Sequence, residues 1–522
     1  MRRDALGLGI ALSAVIFAAL ADQAYQALQV PGAPEAHYSV DLLVPPPTEG
    51  NAIRAALTSG THTPDNAAML AFYQQRAFEP AWTDAEGPLP NALVALHLLH
   101  AAAEQGLSAA SYPVAPAPRG DDSGARVAFE LSLTKALLRF SHDLHLGHTD
   151  PVAVYGVQAV SMAPRPLPRR YDAVSKLARF AARGDASTFV LEQEPAHPEY
   201  GRLKAALARY RAIADAGGWP MVEAGTAFRP DTELARRLLA EGYLRQSDMS
   251  APAIKMALRA YQDRSGLAVT GIADAPTVQM LNVSAQDRAA QIAANMERWR
   301  WLPSTLGDRH IMVNIADASL TFVQDGSVAL TSRVVVGLPD KQTPFLQTAV
   351  TAVTLNPVWH VPVSIIKNEI LPKMAQDSSY LESKNMIMDD GRVEQGPGPG
   401  NALGVAKLEM PNSLDVYLHD SPAKSAFRAQ RRTLSHGCVR VELIRQLAAL
   451  TLYGDDDTAR LDELIATGET GSHTLAAPLP VYFQYWTALA ADDGTVTFRD
   501  DVYQRDAPLA LALEEKSSGS QT

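Results

Sequence analysis

Apolar residues recur at steps of three and four in the first half of the chain and alternate in the second. Ala92-Leu93-Val94-Ala95-Leu96-His97-Leu98-Leu99 and the run from Ala128 to Leu146 carry the helical spacing. Proline-rich breaks at 113–118 and 163–168 separate such runs, so residues 50–225 are expected to form an alanine-rich helical domain. Residues 226–285 form a smaller unit. There Pro252 to Tyr261 places Ile254, Leu258 and Tyr261 on one helix face, Gln262 and the Gly266-Leu267 and Gly271-Ile272 turns follow, and a second helix is expected from Ala275 to Leu281. A connecting helix, Ala289 to Arg300 with Trp299, Trp301 and Leu302 at its end, occupies 286–308.

From His310 the period becomes two. Ile311, Val313 and Ile315 alternate, Leu320, Phe322 and Val323 follow, and Ser332 to Gly337, Val350 to Leu355 and Ser413 to Leu418 continue the strand pattern, which predicts a mainly β domain over 309–470. Ser364 to Gly391 is too long for an ordinary connection and reads as a lid, about 364–391. A helix is expected from Leu443 to Leu452. Residues 471–510 are expected to pack back on the helical domain or the sheet, and 511–522 to form a disordered tail.

Met1-Arg2-Arg3, the apolar run Ala5 to Leu20 and Ala19-Leu20-Ala21 have the layout of an export signal over 1–21, cleaved or kept as an anchor, followed by a proline-rich linker over 22–49. Composition agrees with several globular domains, at 522 residues, 47% hydrophobic and 20% charged. A net charge of -11 argues against nucleic acid as a partner. A membrane partner is expected only if the amino-terminal segment is retained.

The single cysteine, Cys438, can form no internal disulfide and stands in Ser435-His436-Gly437-Cys438-Val439-Arg440, with Leu418-His419-Asp420 upstream. Such polar, small and imidazole neighbours suit a reactive thiol better than a packed core. His419 and His436 are both available to take the thiol proton, and Gly437 permits a tight turn that aims backbone N–H groups at a developing oxyanion. His419, His436 and Cys438 are also admissible zinc ligands, but paired ligand spacings are missing, so neither metal nor cofactor is expected. His142, His145 and His148 read as a polar helix face stopped by Gly147. A helix amino terminus close behind Cys438 would lower its pKa.

His-x15-Ser-His-Gly-Cys-Val-Arg resembles the signature of the L,D-transpeptidase catalytic domain. Val416 to Pro422, Gln395 to Gly404, Asn356 to Pro362, Leu131 to Pro151 and Pro480 to Ala488 are similar to blocks of the large periplasmic members, and the likeness runs from about residue 60 to about 510. The segment Ala-Ile-Lys-x-Ala-Leu-x-Ala-Tyr-Gln, then Gly-Leu-x-x-Thr-Gly and Thr-Val-x-x-Leu-Asn, is similar to a three-helix peptidoglycan-binding module. The resemblance implies a multidomain fold: an α-helical scaffold domain, that small module, and a mainly β catalytic domain with a helical lid insertion.

The resemblance also implies Cys438 as nucleophile, His419 as proton donor and acceptor, the Gly437 backbone in the oxyanion hole with His436 supporting it, and Arg440 on the loop or a substrate carboxylate. Ser435, read mainly as a turn staple, and Tyr417, Trp359 and Asn401 complete the candidate substrate contacts. Implied partners are peptidoglycan stem peptides in the periplasm, with room for other wall-synthesis enzymes. Transfer to a stem amine would give 3-3 cross-links; transfer to water would make an L,D-carboxypeptidase or endopeptidase, and a wall-binding scaffold without catalysis is the third reading.

Overall fold

The computed structural model describes residues 49–59, 63–157, 159–162 and 171–514. The expected signal and linker lie outside these residues apart from Glu49, which opens the helix Glu49–Ser59. Among the described residues no helix is long and apolar enough to cross a membrane.

The helical region is built around α1 (Ser123–Leu146), started by the Asp122 carboxylate accepting from the Ala125 N–H and ended at Gly147, whose φ of 99° few other residues tolerate. The histidines near its end have structural partners. Burial by itself raises the pKa of Asp143, but hydrogen bonds from His142 (3.2 Å) and His148 (2.6 Å) bring it down to about 2. The Tyr112 hydroxyl donates to the same carboxylate, so this cluster staples the helix end to its neighbours. Helix α2 (Pro198–Asp215) packs beside the connecting helix.

The small unit consists of α3 (Glu233–Ala240), α4 (Ala251–Arg264) and α5 (Ala275–Leu281) around its own core, which includes Leu234, Ile254, Leu258 and Tyr261. Gln262 is fully buried and holds the turn between α4 and α5: its amide nitrogen donates to the Thr270 and Thr277 hydroxyls and the Ile272 carbonyl, and its oxygen accepts from the Gly271 N–H.

The connecting helix α6 (Ala285–Arg300) is buried nearly all round and lies at the centre of the molecule. Its polar residues are therefore paired. Asn295 bonds Thr487, Arg298 meets Asp506 at 2.6 Å, and Glu297 meets Arg300 at 2.8 Å with both side chains fully buried.

The β domain comprises β1 (His310–Asn314), β2 (Ser319–Gln324), β3 (Ser327–Gly337), β4 (Phe345–Leu355), β5 (Ala406–Glu409), β6 (Leu418–His419), β7 (Thr433–Ser435), β8 (Val439–Val441) and β9 (Gly471–Gln484). The strand order is β5-β6-β8-β3-β2-β1-β9-β4, and β4 pairs back with β5, so the sheet closes on itself and hides its edges. Helix α7 (Ile444–Tyr453) packs on it.

Several expectations are corrected. The 471–510 segment does more than pack on the sheet: β9 is inserted in it, parallel to β1 and antiparallel to β4. Val160–Met162, from the helical region, adds a strand parallel to β4, and Phe129, Leu137 and Phe140 share one core with Ile311, Val313 and Phe345. Scaffold and β domain are thus fused. Of the expected strand Ser413 to Leu418 only Leu418 lies in a strand, Leu418–His419, because Ser413 and Leu414 form a turn. Residues 511–514 belong to the helix Asp506–Glu514, anchored by buried Leu509 and Leu513, and only 515–522 lie outside the described residues.

The lid is larger than 364–391. Trp359–His360, Arg392–Gln395 and Met386–Asp389 form a small antiparallel sheet, with Val361, Ile366, Ile370, Met386 and Val393 as its own core. Its helical part contains a π turn, Ile366–Ile370, directly before Pro372, which cannot supply the N–H that a regular helix would use.

Candidate active site

Sheet register brings the candidate chemistry onto one face. Strands β6 and β8 run parallel with Leu418 beside Val439 and His419 beside Arg440, and the Val439 N–H donates to the Tyr417 carbonyl at 3.1 Å. Leu418 and Val439 point into the core, both fully buried. Alternation then sends Tyr417, His419, Cys438 and Arg440 to the opposite, outer face. Cys438 is a diagonal neighbour of His419, a separation of about 8 Å between Cα atoms that a ring and a thiol can span. Lys407, beside His419 on β5, joins this face, with its ammonium 4.4 Å from the Tyr417 ring centre.

Cys438 is partly exposed at a cavity of about 780 Å3 whose walls include Trp359 of the lid, Lys407 and Tyr417. Burial pushes the thiol pKa above its ordinary value, with hydrogen bonds from Tyr417 and the charge of Lys407 pulling the other way. The sulfur also lies 3.7 Å from the Asp415 carbonyl. Burial, reinforced by the Arg440 charge, pushes His419 down to about 3. Its Nδ1 is buried with no hydrogen-bond partner, while the Asp420 backbone slightly favours the protonated ring. At neutral pH the resting pair is therefore a neutral thiol and a neutral imidazole. No helix dipole lowers the thiol pKa in the expected way, because β8 separates Cys438 from the start of α7 at Ile444.

Several candidate residues have other work. Ser435 is buried; its hydroxyl donates to the Cys438 carbonyl (2.6 Å) and accepts from the Gly437 N–H (3.2 Å), so it staples the turn and does not face substrate. The same bond commits the Gly437 N–H, which corrects its expected place in an oxyanion hole. Gly437 still needs its φ of 117°, and its carbonyl accepts from Thr343. His436 lines the same cavity as Cys438, and its Nε2 meets Glu369 of the lid at 2.7 Å. Asn401 is buried too: its amide nitrogen donates to the carbonyls of Pro357, Gln395 and Gly396 and its oxygen accepts from the Leu403 N–H, making it a loop anchor and not a substrate contact. Trp359 and Tyr417 do face the cavity. The Arg440 guanidinium makes no hydrogen bond to the described residues, and its Nε is buried.

Sequence reasoning missed Lys407, Glu369 and Thr343. Alternation in Ala406-Lys407-Leu408-Glu409 signals a strand with a charged face, but only sheet order shows that this face adjoins His419.

Asp420 is buried and structural, accepting from the Val405 N–H and pairing with Lys424. Gly404 sits against it with φ +63°, and a Cβ there would come within 2.4 Å of the Asp420 side chain. Gly404→Ala is expected to lose about 2–4 kcal/mol from backbone strain and overpacking, measured as a lower urea midpoint.

Three stretches match known families: residues 67–207 a scaffold domain, 231–281 a "Putative peptidoglycan binding domain", and 308–470 the L,D-transpeptidase catalytic domain. A "Putative L,D-transpeptidase" of Haemophilus influenzae is 33% identical over 246 residues, 42% of this chain and 49% of the relative, so the chain spans about half the length of the curated relative it matches. Solved structures with local likeness include the E. faecium L,D-transpeptidase catalytic domain acylated by ertapenem (16% identity, 32% of this chain, 96% of that one, TM-score 0.17). An L,D-transpeptidase from Xylanimonas cellulosilytica is similar at 16% identity, 51% of this chain and 98% of that one, with a TM-score of 0.18. At such scores the structural likeness adds nothing to the assignment.

Proposed function

We propose that this chain, which carries an L,D-transpeptidase catalytic domain and a peptidoglycan-binding domain, is a cysteine acyltransferase that joins peptidoglycan stems by 3-3 cross-links in the periplasm. The observation that carries this reading is the shared outer face of Tyr417, His419, Cys438 and Arg440 beside the lidded cavity.

The Cys438 sulfur attacks the carbonyl between the third residue of a tetrapeptide stem and its terminal D-alanine. The thiol proton passes to His419 as the carbon–sulfur bond forms, and His419 returns it to the departing amine as the carbon–nitrogen bond breaks. A side-chain amine of a second stem then attacks the thioester and restores the thiol. With the Gly437 N–H committed, the Cys438 N–H is the nearest backbone donor for the oxyanion. Tyr417 and Lys407 stabilise the thiolate as it develops, and Arg440 meets a carboxylate of the stem.

The test is intact-mass analysis after incubation with a tetrapeptide stem. An adduct equal to the stem less D-alanine on Cys438 supports the reading, and its absence overturns it. Added acceptor stem should then yield a 3-3 dimer; a tripeptide alone would indicate hydrolysis, the L,D-carboxypeptidase outcome.

The depressed pKa of His419 makes a pH prediction. With folded and ordinary values of about 3 and 6.5, the neutral base persists throughout mildly acidic conditions. Acylation rates from pH 8 to pH 5 should lack an acid limb near 6.5; stopped-flow acylation by a carbapenem reads this. The sign for stability is opposite in consequence: this group's contribution is full above pH 6.5 and lost as pH falls toward about 3, because the unfolded ring takes the proton first.

A further inference from the structure

A second cavity, of about 570 Å3, lies between the small helical unit and the β domain. The helical unit supplies an apolar and amide wall, with Leu267, Met280 and Gln279; the β domain and the C-terminal segment supply Arg431, Arg432 and Arg499. Three guanidinium groups gathered in one cleft run against a chain whose net charge is -11.

Their pairing leaves room for an anion. Arg499 Nε lies 2.6 Å from Asp317. Arg431 meets Asp500 at 3.1 Å, but these side chains are 69% and 63% exposed, so this pair is weak and easily exchanged. Arg432 hydrogen-bonds no carboxylate: one terminal nitrogen donates to the carbonyls of Asp317 and Ala318, the other to the Ala429 carbonyl at a long 3.5 Å, and its Nε is buried without a partner. An incoming carboxylate exchanges the exposed Asp500 contact of Arg431 and sits beside the charge of Arg432, whose own bonds go to neutral carbonyls, and the apolar wall suits the sugar and methyl surfaces that accompany it.

We propose that this interdomain cleft is a second peptidoglycan site, holding a stem-peptide carboxylate of the glycan strand between α5 and the Gln430–Thr433 segment. It rests on the reading of peptidoglycan as substrate given above. The geometry gives the cleft a link to the chemistry, because β7 runs from it to the catalytic turn. Arg432 and Cys438 are six residues apart, at most about 20 Å along an extended chain. A strand held in the cleft therefore presents its polymer to the thiol, while an isolated stem needs only the catalytic cavity.

The test uses the full chain, purified sacculi and a soluble tetrapeptide. Arg431→Glu and Gln279→Glu place negative charge on opposite walls at exposed positions. Both are expected to weaken sacculus binding in pelleting assays roughly three- to ten-fold and to leave acylation of Cys438 by the soluble tetrapeptide unchanged. Amidating the sacculus carboxylates should erase the difference between wild type and variants. Binding equal to wild type overturns the proposal, as does a difference that survives amidation, or acylation that falls in parallel with binding. If the tetrapeptide fails to acylate even the wild type, the catalytic reading falls, and the pelleting result still judges the cleft.

Discussion

Cys438→Ala is expected to abolish thioester formation and to lower turnover by a factor on the order of 10^4 or more, while the fold and sacculus binding persist. The magnitude follows from the mechanism. Without the sulfur no covalent intermediate divides the reaction, and His419, neutral and buried, has no nucleophile to activate. Stability should change little, because the thiol borders the cavity and its polar contacts are few: those with Tyr417 and the long approach to the Asp415 carbonyl. Intact mass after tetrapeptide incubation, steady-state product analysis and the urea midpoint check the three parts. A persisting adduct in the alanine variant would move the nucleophile elsewhere, and unaltered turnover would remove the enzyme reading altogether.

The second large effect concerns stability. Glu297→Ala is expected to cost about 3–5 kcal/mol, because it strands Arg300 at the centre of the molecule. Both side chains are fully buried, and Glu297 also accepts from the Thr149 backbone and hydroxyl while Arg300 donates to Tyr200 and Gln105. These bonds tie α6 to the helical region on which the β domain rests. The double change Glu297→Ala with Arg300→Met should recover much of the loss, since the penalty lies in the unpaired charge more than in the absent bond. A Glu297→Ala urea midpoint close to wild type would show that the helix is held by its apolar contacts alone.

Periodicity located the elements well where burial follows one side of a helix or strand. Ile254, Leu258 and Tyr261 fall in the core of the small unit, and Ala275–Leu281 is a helix. It said less about packing where a segment is buried on all sides. Helix α6 was expected as a connecting helix and is one, but its burial was not legible: Asn295, Glu297, Arg298 and Arg300 are satisfied internally by groups distant in sequence. The strand β9 looked like a peripheral return because its neighbours in the sheet lie far away along the chain.

The chain's own order of residues decided the composition of the reactive turn: one thiol, flanked by small and imidazole groups, with a histidine upstream. It also decided the local periods, since these depend only on which side chains prefer burial. Tertiary structure alone decided which groups meet. Register between β6 and β8 put His419 on the face of Cys438, sheet order brought Lys407 beside them, and the lid claimed His436 through Glu369. Hydrogen bonding withdrew Ser435, Asn401 and the Gly437 N–H from substrate. The charge state of the pair was settled in the same way, because desolvation depends on what packs around a group and not on what precedes it along the chain.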